Sequence, residues 1–465
     1  LALTVAALAM LAACTTVSRT SITAGGGSGP SAAGSSVGSS GSPSGGPAAS
    51  CDKTLKIGIN LLPDMAAMAG MMGGAIDTGG AEIPADTGKI QSDAYQQVVN
   101  EINNTGGLGG CQVEVVLHTL DLAGGTLAAE SQAACSDLAE DKKVFAVIPA
   151  GAEDGTMVSC LAEHKVITFQ SMGLFAPTNA DYEKFKPYLY GINSISPDRF
   201  GSFIDRFDAA GFFGDDAKVG ILINDNGTGS NQLLAKVWKE ALEAKNISVS
   251  EFTYPSFKSA EDIGSVTTAF GSGVLQFKGE GVNRVLFTLD AAGSLFFPSI
   301  AEGQGFRPRY GMTSASTLAG LSAAPDGQRE GAVGISYQTT DLISLSNLSG
   351  GGAPEGLEAN PTRERCDKLF ADSATELPAG FTFTACEPFF LMQKALEGVS
   401  EVTPETLREG IDKLGDSYPL SSAYGNASFA NGRSDGAAYA RTMKWDPAMG
   451  DKGSWAFATE PELVP

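Results

Sequence analysis

The chain has 465 residues, 43% of them apolar and 18% charged, which is length enough for two domains of ordinary size with real cores. Asp plus Glu number 53 against 31 Lys plus Arg, a formal charge of −22, which argues against a nucleic-acid partner held through its phosphates. The two histidines, His118 and His164, stand far apart and no Cys-x-x-Cys occurs, so no zinc, other metal site or cofactor is expected.

Leu1 to Ala13 is an apolar run that ends in Leu11-Ala12-Ala13-Cys14. It is shorter than the ~20 residues of a membrane span and has the length and small-residue end of a signal-peptide core. The run and its cysteine resemble the lipobox of bacterial lipoproteins. That resemblance implies a signal peptide over 1–13, cleavage before Cys14, a lipid on that residue, and a location on the outer face of the cell membrane. An uncleaved apolar tail is the competing reading. No Met and no basic segment precede Leu1, so the start is expected to be truncated or misassigned. Ala24 to Ser50 contains only Gly, Ser, Ala, Pro and one Val. Such a stretch buries too little apolar surface to offset its ordering entropy, so 14–50 is expected to be a disordered tether reaching on the order of 30 Å.

From there the pattern alternates. Leu55 to Leu61 reads as a buried strand; Ile90, Ala94, Val98 and Ile102 repeat at helical spacing, stopped by Asn103-Asn104-Thr105-Gly106-Gly107. Strand Val113–Leu117, helix Leu127–Leu138, strand Val144–Ile148, helix Met157–Glu163 and strand Val166–Phe169 follow. A second series opens at Lys218–Ile223 and runs through helix Gln232–Ala244, strand Val249–Thr253, helix Ile263–Leu275, strand Arg284–Phe287 and helix Ser294–Glu302. Helices Arg363–Ala374, Glu387–Gly398 and Pro404–Leu414 come next, the last with Thr403 as N-cap, then short strands at Ala427–Phe429 and Tyr439–Trp445. Strand-then-helix repetition predicts an α/β fold of two Rossmann-like lobes, each a parallel sheet with helices on both faces. Ligands of such sheets bind outside the carboxyl ends of the strands.

Without Cys14 there remain Cys51, Cys111, Cys135, Cys160, Cys366 and Cys386, an even number suited to disulfides in an exported chain. Several pairings are open. Element order favours Cys51 with Cys111, which precede neighbouring strands, and Cys135 with Cys160 on successive helices, leaving Cys366 with Cys386.

Five segments carry a wider resemblance: Lys56-Ile57-Gly58-Ile59-Asn60; Val99-Asn100-Glu101-Ile102-Asn103 leading to Gly106-Gly107-Leu108-Gly109-Gly110; Phe145-Ala146-Val147-Ile148; Lys218 to Asp225; and Phe429-Ala430-Asn431-Gly432-Arg433-Ser434-Asp435-Gly436. In this order the chain, over roughly Leu55 to Phe457, resembles the type I periplasmic binding proteins, specifically the branched-chain amino-acid group of ABC-importer substrate-binding proteins. The resemblance implies three hinge crossings, placed near Asn193, Gln338 and Ala438, with an N-terminal lobe of 54–193 plus 339–437 and a C-terminal lobe of 194–338 plus 438–458. It implies a monomer that closes over a small-molecule ligand, no enzyme activity, and ABC permease subunits and the membrane as partners.

The loops after the strands supply candidate ligand residues: Asp64, Glu153, Asp154, Ser171 and Met172 in the first lobe; Asn224, Asp225, Asp290 and Ser314 in the second. In the amino-acid binders, hydroxyls and backbone N–H groups take the ligand carboxylate, and an acid with aromatics on the opposite lobe takes the amine. Ser171 and Asp290 sit near matching positions, whereas Glu153 replaces an expected serine. Glu153 and Asp154 equally suit a helix cap, and Asp225 and Asn226 suit a turn. A sensory module acting on a membrane receptor is the alternative function. A hydrolase lacks material: two histidines and no Gly-x-Ser-x-Gly turn between a strand and a helix.

Overall fold

The computed structural model describes residues 51–61, 87–120, 126–149, 154–170, 176–256, 262–289, 291–342, 357–371, 379–449 and 453–465. Cys14, Asp64, Glu153, Ser171, Met172 and Asp290 lie outside the described residues.

Strand β1 (Thr54–Leu61) turns Leu55, Ile57, Ile59 and Leu61 into the core. There they meet Tyr95, Val98, Val99 and Ile102 on helix α1 (Thr87–Asn104). Both partners repeat their apolar residues at the period of their own element, which lets a strand face close against a helix stripe. Next come β2 (Gln112–Thr119), α2 (Leu127–Cys135), β3 (Ala146–Pro149), α3 (Gly155–Glu163), β4 (Ile167–Gln170), α4 (Asn179–Lys184) and β5 (Leu189–Gly191). They build a five-stranded parallel sheet in the order β2-β1-β3-β4-β5.

Helix α5 (Gly201–Ala209) leads to β6 (Lys218–Asp225), α6 (Ser230–Ala244), β7 (Ser248–Pro255), α7 (Ile263–Glu280), β8 (Arg284–Phe287), α8 (Ala291–Gly303), β9 (Arg309–Thr313), the short α9 (Asp326–Arg329) and β10 (Val333–Ser336). The parallel order β7-β6-β8-β9-β10 repeats that of the first sheet. Two strands from the end of the chain, β11 (Tyr439–Asp446) and β12 (Ser454–Phe457), extend it antiparallel. A two-residue strand, β13 (Glu462–Leu463), pairs with the start of β11. Between β10 and β11 the chain returns to the first sheet to add α10 (Pro361–Ala371), α11 (Ala379–Ala395) and α12 (Pro404–Leu414). Tyr95 of α1 and Phe389 of α11 face each other in that packing, with ring centroids 6.4 Å apart.

Several local expectations are corrected. Leu127–Leu138 is not one α-helix: it passes at Ser136 into a π-helical turn over Ser136–Asp141 that keeps Leu138 buried. The helix expected from Glu387 begins at Ala379 and carries Pro388 inside it. Ala427–Phe429 is not a strand, because the backbone there bonds to Tyr418, Gly436 and Gly415 rather than along one partner. Helices α4 and α5 and strands β5, β9 and β10 had not been anticipated; the strands span only three to five residues, too short to show a period.

Three disulfides form: Cys51–Cys111, Cys135–Cys160 and Cys366–Cys386. The amino end of α12 has the expected cap: Thr403 Oγ1 accepts from Thr406 N at 3.1 Å, and Thr406 Oγ1 accepts from Thr403 N at 3.0 Å. Thr403→Ala is expected to cost about 1 kcal/mol in urea unfolding, and a loss below ~0.3 kcal/mol contradicts the capping role.

Candidate functional site

In both sheets the strand order reverses between the first and third strands, β1/β3 and β6/β8, and the crevice outside the carboxyl ends is where such folds hold ligands. A cleft of about 630 Å³ lies there between the lobes. The first lobe lines it with Thr126, Asp154, Thr156, Ser159 and Lys184 among others, the second with Asn226, Gly227, Thr228 and Ser256. Thr126, Asp154, Asn226 and Ser256 sit just past strands because a parallel sheet aims every strand-to-helix loop at one edge.

Asp154 is the N-cap of α3, and its Oδ1 accepts from Met157 N at 3.0 Å. That bond takes one of the acceptor sites of the carboxylate. Asp181, on α4, closes a capping box with Thr178, its Oδ2 accepting from Thr178 N at 2.9 Å and from Thr178 Oγ1 at 2.7 Å. Lys184 Nζ stands 4.5 Å from the Phe185 ring centroid at the cleft wall. On the opposite wall, Asn226 Oδ1 accepts from Thr228 N at 3.1 Å and Thr228 Oγ1 at 2.8 Å, folding the loop ahead of α6. Hydroxyls, one amide, two carboxylates and one ammonium thus line the cleft, and no nucleophile–base pair is set up among them.

The remaining candidates sit elsewhere around this edge. Asn224 is 2% exposed, and its N–H donates to Thr288 Oγ1 at 3.2 Å. Asp225 Oδ1 accepts from Gly227 N and Gln232 Nε2, at 3.3 and 3.2 Å, closing the turn into α6. Ser314 follows β9 but is buried, its hydroxyl donating to Asp341 Oδ2 at 2.5 Å and accepting from Tyr337 N at 2.8 Å. The cleft therefore joins Asp154 to Asn226 and Thr228, and adds Thr126, Thr156, Ser159, Lys184 and Ser256, which sequence reading did not single out. Thr126 and Thr156 open helices at the carboxyl edge, which is their one sequence signal; Ser159, inside α3, and Lys184, at the end of α4, carry none. Among the described residues, the one grouping of metal-ligand type is Cys135, Cys160 and His164, and its cysteines are bonded to each other.

Where the chain passes between sheets, buried polar groups fasten the strands. Gly436 N donates to Gly191 O at 2.6 Å and Gly191 N to Ser434 O at 2.8 Å. A Cβ on Gly436 would stand 2.3 Å from Ile192 O, so glycine is what lets these backbones touch. Asp435 accepts from Ser196 N at 3.1 Å and pairs with Arg199 at 3.0 Å. Asp341, fully buried, accepts from the hydroxyls of Ser314 and Ser336. Burial raises its pKa from 3.8 to about 6, with the two serine hydroxyls opposing the rise.

No family model matches the chain, and no curated protein matches it. Solved structures do. A leucine-binding protein of Thermotoga maritima aligns over 88% of this chain and 99% of its own, at a TM-score of 0.60 and 14% identity. An ABC-transporter solute-binding protein of Rhodopseudomonas palustris, in complex with 3,4-dihydroxybenzoic acid, aligns over 88% and 98%, at 0.59 and 14%. A fatty-acid ABC-transporter substrate-binding protein of Thermomonospora curvata aligns over 90% and 96%, at 0.58 and 15%. With two like-ordered parallel sheets and a polar cleft between them, the chain has the fold of the type I periplasmic binding proteins of ABC transporters.

Proposed function

We propose that the chain is an extracytoplasmic solute-binding lipoprotein that captures a small polar molecule, an amino acid, an amide or a relative, and delivers it to an ABC importer. The observation that carries this reading is the cleft of about 630 Å³ lined from both lobes by short polar side chains. Closure of lobes 54–193 plus 339–437 and 194–338 plus 438–458 over the ligand supplies the differential affinity that a permease reads. Cys14 carries the lipid, and 14–50 is the tether. Glu153, Ser171 and Asp290 join Asp154 at the ligand. Among the described residues no helix is long and apolar enough to cross a membrane. The ligands named for the three similar structures differ in kind, so the class proposed here rests on this cleft's own chemistry.

The test is thermal unfolding of the full chain against amino acids, amides, short peptides, polyamines, aromatic acids and nucleosides. A ligand at 100 times its dissociation constant is expected to add about 2.7 kcal/mol. Thr156→Ala and Asn226→Ala, on opposite walls, are each expected to weaken a hit about tenfold. Silence from every amino acid and amide would remove that ligand class; a hit unmoved by either variant would remove this cleft.

A further inference from the structure

A second, smaller pocket lies apart from the cleft and shares no residue with it. Its volume is about 180 Å³, and it opens to solvent. Glu358, Arg363, Tyr424, Asn426, Arg441 and Pro461 are among its walls. Arg363 belongs to α10, which packs on the first sheet, and Arg441 to β11 of the second, so one guanidinium comes from each lobe.

Both arginines are buried, each about 5% exposed or less. Arg363 spends Nε on Ser421 O at 3.2 Å, Nη1 on Glu358 O at 2.9 Å and Nη2 on Ala423 O at 3.4 Å. A guanidinium has five N–H groups, so two of these remain. Among the described residues no carboxylate reaches ion-pair distance of Arg363; burial lowers its pKa, and Asp367, Glu387 and Glu358 oppose that only from farther away. Arg441 gives Nε to Thr459 O at 3.0 Å. Its Nη1 and Nη2 make no hydrogen bond among the described residues, and its nearest carboxylate, the 85% exposed Glu460, stands at 3.8 Å. The Phe457 ring, 3.4 Å from Cζ, and Tyr424, 5.5 Å away, fix the plane of the fork. A buried guanidinium without a close counter-charge, as at Arg363, is costly. In a chain of net charge −22, two buried guanidinium groups meet at one pocket, with Glu358 among its walls and Glu460 as the one carboxylate within 4 Å among the described residues.

We propose that this pocket is an oxyanion site bridging the two lobes, in which a phosphate, sulfate or carboxylate group takes the free N–H groups of Arg441 and Arg363. Its place gives it a mechanical consequence. Tyr424 stands between the guanidinium groups and the Ser336 hydroxyl, 2.9 Å from its own, and Ser336 in turn donates to Asp341 beside the second crossing. An anion held there ties α10 to β11 and biases how the lobes pivot.

The experiment is calorimetric titration of the full chain with inorganic phosphate, sulfate and acetate in separate arms, at fixed ionic strength in chloride. One saturable site is expected for at least one anion. Tighter binding of phosphate or sulfate than of acetate assigns a tetrahedral oxyanion, and the reverse order a carboxylate. Arg441→Gln is expected to weaken that site at least tenfold. Where it fails to fold, Arg441→Lys, which keeps the charge and loses the fork, is expected to weaken it at least threefold. Absence of a saturable site for all three anions, or an unchanged affinity in the folded variant, overturns the proposal.

Discussion

Asp435→Ala is expected to destabilise the protein by about 3–5 kcal/mol, the usual cost of deleting one member of a buried ion pair. The Asp435 side chain is 5% exposed and that of Arg199 11%. Oδ2 of Asp435 accepts from Ser196 N at 3.1 Å and from Arg199 Nη1 at 3.0 Å, and Arg433 Nε reaches Oδ1 at 3.1 Å. Arg199 also donates to the carbonyls of Val464 and Pro465, so one carboxylate holds the segment after β5, the segment before β11 and the end of the chain together. Without it, Arg199 keeps its burial and loses its counter-charge, and Ser196 N loses its acceptor. Asp435→Asn, which retains an acceptor of the same shape, is expected to recover part of the loss. Urea unfolding of both variants measures this. A loss under ~1 kcal/mol for the alanine variant would show that the backbone contacts of Gly191 and Gly436 suffice alone.

Asp341→Asn is expected to act in the opposite direction and to do so only above mild acidity. The carboxyl is fully buried and its pKa stands at about 6 against an ordinary 3.8, with desolvation the first cause. A raised carboxyl pKa means that the native state holds its proton more tightly than the unfolded chain. Between about pH 4 and 6 the native state therefore binds more protons than the unfolded one, and stability falls as pH rises through that window. Above pH 6 both states are ionised, and the accumulated penalty is about 3 kcal/mol. An uncharged asparagine escapes it, so the variant is expected to gain most of that amount at pH 8 and almost nothing at pH 4. Denaturant midpoints at the two pH values decide the matter; an equal gain at both would mean that repacking, not charge, was the cause.

Legibility followed the length and the environment of each element. The first sheet's opening strand was readable because Leu55, Ile57, Ile59 and Leu61 recur at every second position, and α1 because its core residues recur at helical spacing. Strand β5, three residues long, and β10, four, carry too few positions for any period to stand out. The helix expected from Glu387 begins at Ala379, which puts Pro388 inside α11, whose packing against α1 outweighs a missing N–H. At the site, Asp154 was visible as an acid before a helix. Nothing local marked Lys184 or Ser256, which matter only because two loops distant in sequence face one cleft.

The sequence by itself determined the alternation of strands and helices, and with it two parallel sheets whose loops gather at their carboxyl edges. That follows from periodicity, a local property that one residue's neighbours along the chain suffice to express. The tertiary structure alone decided which polar groups are buried and what faces them. Asp341 beneath two serines, Arg363 and Arg441 across one pocket, and Asp435 against Arg199 are encounters between residues 5 to 236 positions apart. Burial and charge act through space, so their effects appear only once the chain has folded back on itself.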